Sequence, residues 1–266
     1  MPLSTRLTNT QGFALIRNYS EGTAYYQFPH LAAFSGLAHG VFTRDGGNST
    51  GNFHGLNLSY DVGDHKENVR ENRSLIKYVM EMPHIFSVRQ VHGSRVRCFS
   101  QQDAPDIEKD EADALITDIP GRLLLVKAAD CQSILLFDPV RNVAANIHSG
   151  WRGSVQNIIG KTVSVMSDVF GCRASNLICG IGPSLGPCCA EFLNHSKELP
   201  RAFERYEVNS NHFDFRAVSR DQLKEAGLSA KNILTSRICT RCSTDRFFSF
   251  RKEKRTGRFG AVIGIR

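Results

Sequence analysis

Three apolar segments near the middle of the chain constrain its fold more than any other feature. Leu123–Lys127, Ser133–Phe137 and Val143–Ile147 follow one another with short connections, and their side chains are almost all apolar. A strand with one face in water alternates apolar and polar residues, whereas a nearly continuous apolar run is typical of a strand that is covered on both faces. The sequence therefore predicts a central sheet that is buried between two other layers.

Further strands and helices are predicted on both sides of these segments. The strands are residues 13–18 and 38–43, Ile85–Val91, Ala114–Thr117, Leu177–Ile181 and a closing pair, Phe247–Phe250 and Phe259–Ile265. The helices are Glu67–Met80, Ser154–Phe170 and two near Glu191–Tyr206 and Ala217–Ala226, with loops at Arg44–Asn52 and in the acidic stretch Asp103–Asp113. Because no repeat or linker divides the chain, we predict one mixed α/β (α+β) domain over residues 1–266, with the strand order left open.

Composition narrows the class of protein. Of the 266 residues, 41% are hydrophobic and 22% charged, as in ordinary globular proteins, so disordered and fibrous classes are excluded. No apolar run approaches the ~18 residues of a membrane span, and residues 1–20 contain no continuous apolar segment of a secretory signal. We therefore expect a cytoplasmic protein without a membrane partner. Its eight cysteines are then expected to be thiols or metal ligands rather than disulfides.

The positive charge is concentrated near the C-terminus. Between Arg216 and Arg266 there are 13 Lys and Arg residues against 4 Asp and Glu. Such a surface attracts anions, although a simple solvated face is the alternative. The charge alone leaves phosphate, nucleotide and nucleic acid open as anionic partners, and the sequence leaves the oligomeric state open.

Three residues of the metal-ligating types directly follow predicted strands. They are His92 in QVHG, Cys131 in ADC and His148 in HSGWRG. Strand ends on one edge of a sheet can converge, and two imidazoles with one thiolate suit Zn²⁺ with an open fourth position, the pattern of catalytic sites. The spacing alone also allows the alternative that the three side chains never meet.

A second interpretation uses the same residues for nucleophilic catalysis. Cys131 would be the nucleophile, His148 its base and Asp130, or another acid, the group that orients the base. The two interpretations exclude each other in the resting protein, because a thiolate bound to zinc shares its charge with the metal. His92 separates them, since a Cys–His nucleophile does not need it.

Four other cysteines form a possible second group. Cys239 and Cys242 make a C-x-x-C motif, and Cys188 and Cys189 are adjacent. Adjacent cysteines are expected to be poor ligands for one tetrahedral ion, and a second C-x-x-C is missing. The sequence therefore predicts that these four thiols form no disulfide and bind no second metal.

Several motifs together resemble one known family. They are HGVFTRDGGNSTGNFHGLNLSYDVGD (His39–Asp64), ENR (Glu71–Arg73), QVHG (Gln90–Gly93), ADALIT (Ala112–Thr117), ADC (Ala129–Cys131), HSGWRG (His148–Gly153), GPSLGPCC (Gly182–Cys189) and FFSFRKEKRTGRFG (Phe247–Gly260). This pattern is similar to that of the laccase-domain family, also called polyphenol oxidase or peptidoglycan editing factor and more recently assigned as purine nucleoside phosphorylase. The resemblance covers nearly the whole chain from His39 onward. Ser149, Ala128 and Phe250 depart from the common residues, and none of them is a candidate ligand.

The resemblance implies a four-layer α/β/β/α sandwich, with zinc bound by His92, Cys131 and His148. It also implies phosphorolysis of adenosine, inosine, guanosine and methylthioadenosine, with deamination of adenosine as a second activity. Purine nucleosides and phosphate are then the expected partners, and nucleic acid is not. The residues chosen for substrate binding are Arg44, Arg152 and Arg251 for phosphate or sugar, with Asn57 and Gln90 as polar positioners. The HSGWRG turn gives independent support for an anion at Arg152, because N–H groups at a helix start bind anions.

Two alternative activities follow from the family's other names. One is hydrolytic editing of a peptidoglycan precursor, and the other is copper-dependent polyphenol oxidation. The His-x-His pairs of multicopper centres do not occur among the nine histidines, although one copper ion could bind the same three ligands as zinc.

Overall fold

Two large mixed β-sheets form the centre of the computed structural model, which describes residues 5–6, 15–105 and 108–266. Numbered along the chain, the strands of the first sheet lie in the order β1 (Thr5–Arg6), β2 (Ile16–Ser20), β3 (Thr23–Gln27), β4 (Leu37–Phe42), β15 (Phe259–Ile265), β8 (Arg122–Ala128) and β5 (His84–Phe86). The last strand, β15, is inserted antiparallel between β4 and β8, and all of its residues are buried.

The second sheet contains the strands nearest to the site. Its order is β14 (Ile233–Thr235), β11 (Ile178–Ile181), β9 (Gln132–Asp138), β10 (Val143–Ser149), β7 (Ala114–Thr117) and β6 (Val96–Cys98). β9 and β10 form an antiparallel hairpin that is buried along its whole length, as predicted for strands covered on both faces. A separate small hairpin joins β12 (Glu207–Asn209) and β13 (His212–Phe213).

The described residues form seven α-helices. They are α1 (Pro29–Ala32), α2 (Lys66–Met80), α3 (Trp151–Val155), α4 (Ile158–Phe170), α5 (His195–Glu198), α6 (Phe215–Glu225) and α7 (Phe250–Glu253). α2 packs on the first sheet, α4 and α6 pack on the second, and the inner faces of the two sheets pack on each other. This arrangement confirms the predicted α/β/β/α sandwich. In the described part of the chain, no helix has the length and apolar character needed to cross a membrane.

The alternation of side chains along β8 shows how one strand serves two layers. Leu124 and Val126 belong to the core between the sheets, whereas Leu123 and Leu125 pack towards α2. Successive side chains of a strand point to opposite faces, so an apolar run fills both interfaces. The buried amide of Asn146 joins the sheets directly, because its Nδ2 donates to the carbonyls of Leu124 (2.9 Å) and Ala261 (2.8 Å).

Two predicted elements are wrong. The helix predicted over Ser154–Phe170 is broken at Asn157, which has a φ of 52° and caps α4 by accepting a hydrogen bond from the Gly160 N–H. The strand predicted over Phe247–Phe250 is a loop followed by the start of α7. Phe247 and Phe248 are buried in the core between the sheets, so their apolar character reflects packing and not strand pairing.

The boundaries of three further predictions change. The first predicted strand, residues 13–18, corresponds to β2, and its positions 13 and 14 lie outside the described residues. The prediction over Ile85–Val91 contracts to β5, and the region Glu191–Tyr206 contains α5 and a short 3₁₀ helix, Arg201–Tyr206, rather than one long helix.

The acidic stretch Asp103–Asp113 is not simply an exposed loop. Asp113 is buried, and the side chain of Glu108 is only 11% exposed. Glu108 pairs with Arg73 and Lys127, each at 2.6 Å, and both of these cations are buried. Buried cations require a counter-charge, so the sequence prediction of a solvated loop is wrong at these two carboxylates.

Candidate metal centre and its pocket

The structure brings the three predicted metal ligands together. His148 lies near the end of β10, Cys131 lies in the turn between β8 and β9, and His92 lies in the loop that follows β5. Their ligand atoms are all within 4.8 Å of one another, and the two imidazole rings meet edge to face with centroids 4.9 Å apart.

The β9–β10 hairpin explains why Cys131 and His148 are neighbours. Cys131 immediately precedes β9, and His148 is opposite Ser133 in the antiparallel register. Because antiparallel strands place the start of one beside the end of the other, the two side chains occupy the same end of the sheet.

Asp113 connects His92 to this pair. Its Oδ1 accepts hydrogen bonds from His148 Nδ1 (2.8 Å) and from the His92 N–H (2.9 Å), and its Oδ2 accepts one from the Gly93 N–H (2.7 Å). His92 has a φ of 59°, a conformation that a residue other than glycine adopts only when its surroundings stabilise it. The carboxylate therefore orients one ligand through its ring and the other through its backbone.

Electrostatic coupling determines the protonation of the site in the absence of metal. Burial alone would raise the pKa of Cys131, but His148 and His92 lower that pKa to about 6. Burial alone would lower the pKa of His148, but the Cys131 thiolate and Asp113 raise that pKa to about 9. Burial also opposes ionisation of Asp113, yet His148 and the N–H groups of the loop hold its pKa below the usual range.

The residues fit a metal ion. The His148 Nδ1 is occupied by Asp113, so Nε2 is the nitrogen left for a metal, as in carboxylate–histidine–metal arrangements. Gly150 leaves room for the ligands, because a Cβ there would lie 3.0 Å from Cys131 Sγ and 3.2 Å from the His92 ring. Among the described residues, this group offers three ligand atoms, two imidazole nitrogens and one cysteine sulfur. Three protein ligands of these types are found in catalytic zinc sites.

A cavity of about 430 Å³ opens beside the three ligands. Its aromatic wall is formed by Trp151, Phe192, Phe215 and Phe250, and its cationic side chains include Arg152, Arg251 and Arg258. Flat apolar walls combined with guanidinium groups can bind a ligand that has both an aromatic ring and a negative charge.

Three predicted substrate residues line this cavity. The guanidinium of Arg152 stacks on Trp151 at 4.4 Å and makes no hydrogen bond or ion pair with any described residue. Arg251 donates to the carbonyls of Cys189 (3.3 Å) and Glu191 (2.9 Å). The side-chain Nε2 of Gln90 donates to the Lys127 carbonyl, and its Oε1 accepts from the Lys127 N–H, each at 2.8 Å. The amide of Gln90 is therefore largely used in binding the backbone of the cavity wall.

Arg44 and Asn57 do not line the cavity, and their predicted roles in substrate binding stay predictions. Arg44 forms an ion pair with Glu253 at 2.9 Å. Asn57 is fully buried. Its side-chain Nδ2 donates to Asp64 (2.8 Å), and its side-chain Oδ1 accepts from the backbone N–H of Arg258 (2.9 Å). Both residues lie in polar loops and make these contacts within the fold, a use that residue type alone does not distinguish from ligand binding.

The acid predicted to orient His148 was Asp130 or another acid, and the structure places Asp113 there rather than Asp130. The Asp130 carboxylate accepts hydrogen bonds from the hydroxyls of Thr240 and Ser249 (2.7 Å each) and from the Arg251 N–H (2.6 Å). It therefore supports the start of α7, which carries Arg251, and Asp113 occupies the orienting position. The ADALIT motif contained Asp113, but its sequence position gave no sign of contact with a histidine.

Arg258 is the functional candidate that sequence reasoning missed. It lines the cavity, and its charge interacts favourably with Cys131 and Asp130, while burial lowers the pKa of its guanidinium. It occupies the end of the FFSFRKEKRTGRFG motif, and that membership was the available signal.

The sandwich fold and the two-histidine, one-cysteine group define this chain as an α/β/β/α protein with a candidate metal centre. It belongs to the family described as multi-copper polyphenol oxidoreductase laccase, whose model matches residues 38–266. The family resemblance drawn from the motifs is thereby confirmed.

Named relatives and a solved structure are similar to this chain over most of its length. The chain is 31% identical to a purine nucleoside phosphorylase of Bacteroides thetaiotaomicron, over 85% of this chain and 90% of the relative. It is 32% identical to adenosine deaminase RL5 of an unknown prokaryotic organism, over 75% and 82% of the two chains. The crystal structure of YlmD from Geobacillus stearothermophilus superimposes with a TM-score of 0.84 at 30% identity, covering 93% of this chain and 97% of YlmD.

Proposed function

We propose that this chain is a zinc-dependent purine nucleoside phosphorylase that also deaminates adenosine. The observation that carries the proposal is a single cavity in which His92, Cys131 and His148 lie beside aromatic side chains and guanidinium groups. The names of the relatives support both activities. We expect adenosine, inosine, guanosine and methylthioadenosine as substrates, because each combines a purine with a sugar.

Zinc is the metal that we favour for this site. Two imidazole nitrogens and a thiolate are a common zinc donor set, although copper can bind the same ligands. Zinc bound there would supply Lewis acidity, which makes water a nucleophile near neutral pH. The metal would be held by His92, Cys131 and His148, with Asp113 keeping the proton on the Nδ1 of His148.

The residues of the pocket suit two alternative nucleophiles on one substrate. Trp151 and Phe192 can stack on the purine, and Arg152 can hold phosphate close to the sugar. In phosphorolysis a phosphate oxygen bonds to the anomeric carbon, the bond from that carbon to the purine nitrogen breaks, and its electron pair leaves with the base. In deamination water adds to the purine carbon that carries the amino group, and ammonia leaves.

A specific observation favours a second candidate, a cysteine hydrolase of cell-wall precursors. Without metal, coupling between the two groups lowers the pKa of Cys131 to about 6 and raises the pKa of His148 to about 9, which favours a thiolate–imidazolium pair. Such a pair is the usual form of an activated cysteine nucleophile. This candidate requires that activity survive complete removal of metal.

Product analysis with adenosine tests the proposal. With phosphate we expect adenine and ribose 1-phosphate, and without phosphate we expect inosine and ammonia. If no base is released from adenosine or inosine at any phosphate concentration, the nucleoside proposal is wrong and precursor hydrolysis becomes the better hypothesis.

The variant Arg152→Ala tests the site proposed for phosphate. We expect phosphorolysis to fall more than deamination by about 1.5–3 kcal/mol, roughly 10-fold to 150-fold, for the loss of one charge-assisted contact. Arg201→Ala is a matched control, since its side chain is 94% exposed and does not line the cavity. Equal loss of both activities in Arg152→Ala would mean that Arg152 supports only the fold or the metal.

A further inference from the structure

A second group of cysteines converges outside the cavity. Cys188 and Cys189 lie in the loop after β11, and Cys239 and Cys242 lie in the turn after β14. All four Sγ atoms are within 4.8 Å of one another, with Cys242 Sγ at 3.5 Å from Cys189 Sγ and 3.8 Å from Cys188 Sγ. None of these residues belongs to the His92–Cys131–His148 group.

The structure removes the geometric reason for expecting no metal here. Adjacent residues in an extended chain point their side chains to opposite sides, which is why Cys188 and Cys189 were expected to be poor partners. Instead they lie in a tight turn in which the N–H groups of Cys189 and Ala190 both donate to the Gly186 carbonyl, at 2.9 and 3.0 Å. The turn directs both thiols towards the C-x-x-C segment.

Backbone contacts fix the two segments against each other. Ser184 and Cys239 form a parallel bridge, and the Thr240 N–H donates to the Ser184 carbonyl at 3.1 Å. The Gly186 N–H donates to Cys239 Sγ at 3.3 Å. Hydrogen bonds from N–H groups to sulfur are among the outer contacts that orient and stabilise metal thiolates.

Positive charge is placed beside the four thiols. Arg216 is 7% exposed, anchored to Ser184 Oγ (3.1 Å) and to the Ile238 carbonyl (2.6 Å), and its charge interacts favourably with three of the cysteines. Arg241 Nη1 donates to Cys189 Sγ at 3.4 Å. Four thiolates around one divalent ion carry a net charge of about −2, which two neighbouring guanidinium groups would offset.

We propose that Cys188, Cys189, Cys239 and Cys242 bind a second, structural zinc ion. Zn–S bonds of ~2.3 Å in a tetrahedron place the sulfur atoms about 3.8 Å apart. The distances from Cys242 Sγ to the Sγ atoms of Cys189 and Cys188, 3.5 and 3.8 Å, are close to this value. The four protein ligands close the coordination shell, so the ion takes no part in catalysis. Binding releases the thiol protons to solvent, and no oxidant or reductant is involved.

The proposed ion braces one wall of the cavity. Leu185 and Ala190, on either side of the adjacent cysteines, line the cavity, and the Cys189 carbonyl accepts a hydrogen bond from Arg251. The hydroxyl of Thr240, between the other two cysteines, donates to Asp130. Loss of the ion should therefore lower thermal stability and loosen the start of α7, which carries Arg251.

Metal stoichiometry of the purified chain tests the proposal. Native mass spectrometry of the wild-type protein, purified from cells grown with zinc, should show two zinc ions per chain. Cys242→Ser should retain one, whereas the control Cys98→Ser, which alters a cysteine outside both groups, should retain two. In Cys131→Ala the remaining zinc should show only sulfur neighbours by zinc K-edge X-ray absorption.

Three results would overturn the proposal, and two of them do not depend on the folding of any variant. One is a wild-type protein that binds a single zinc ion while all four thiols of Cys188, Cys189, Cys239 and Cys242 react with an alkylating reagent. Another is a wild-type protein that binds a single zinc ion and whose chain mass is two hydrogens below that of the fully reduced chain. That mass would mean that two of these four thiols form a disulfide. The third is a Cys131→Ala protein whose zinc has nitrogen neighbours.

Discussion

The carboxylate of Asp113 determines how the two histidines of the metal centre are presented. It contacts the ring of His148 and the backbone of His92, which are far apart in the sequence. The residue types and their positions after strands were enough to nominate the three ligands, and the resemblance singled them out. The contacts of Asp113 could not be predicted, because they depend on the meeting of three separate segments.

Asp113→Asn should weaken metal binding. The amide keeps one acceptor oxygen but loses the charge and the second acceptor, so His148 and the loop of His92 lose part of their support. We expect zinc affinity at this site to fall about 10-fold to 100-fold, as measured by competition with a chromophoric chelator. Asp168→Asn, at an exposed position of α4, is the control. Unchanged affinity in Asp113→Asn would show that the ligands are held without this carboxylate.

Among the secondary-structure elements, the turn between β10 and α3 positions the site most directly. His148 is on the strand, Gly150 caps the helix, and Trp151 and Arg152 form its first turn against the cavity. The HSGWRG motif thus supplies a ligand, an aromatic wall and a cation within one short segment.

Gly150→Ala should disturb this turn at the ligands. The new Cβ would meet Cys131 Sγ at 3.0 Å, so the sulfur or the His92 ring must shift by a few tenths of an ångström. We expect zinc affinity to drop by about tenfold or more, with little change in folding. Gly153→Ala is the matched control in the same turn, because its Cβ would meet nothing closer than 3.4 Å. The interpretation fails if both variants bind zinc as tightly as the wild type.

The predicted elements divide according to how local their causes are. β7 has the predicted bounds, and β8, β9 and β10 differ by one or two residues, because continuous apolar runs are sufficient to define buried strands. The break at Asn157 was missed because the apolar stripe continues through it. The strand predicted at Phe247–Phe250 was wrong because core packing and strand pairing demand the same residue types.

Across the molecule, Glu108 joins the helical layer to the first sheet. It pairs with Arg73 of α2 and Lys127 of β8, and Ser87 Oγ donates to it at 2.7 Å. Burial would raise the pKa of Glu108, but Lys127 and Arg73 hold that pKa below its usual range. Sequence alone could show the charges but not which of them would be buried together.

Glu108→Gln should change stability in a pH-dependent way. A pKa that is lower in the folded state gives stability that is complete above the unfolded value and is lost as the pH falls through the folded value. The free energy of unfolding of the wild type should therefore decline below about pH 4.5, and the variant should lack this part of the decline. At pH 7 the variant should be about 3–5 kcal/mol less stable, since two buried cations lose their partner.

Urea denaturation at several pH values measures this effect. Glu81→Gln is the control, because Glu81 is 80% exposed in its pair with Arg266 and should contribute about 1 kcal/mol or less. Equal effects of the two substitutions at pH 7 would contradict the role of Glu108. A single cooperative transition is also expected, because we predict that residues 1–266 form one domain.

Zinc add-back to metal-free protein tests most directly whether metal at His92, Cys131 and His148 drives the reaction. After chelation, phosphate-dependent release of adenine from adenosine should disappear, and zinc should restore it in the wild type but not in Cys131→Ala. Metal-free protein that keeps full activity, and loses it only when Cys131 is alkylated, would contradict the metal mechanism and establish Cys131 as a nucleophile.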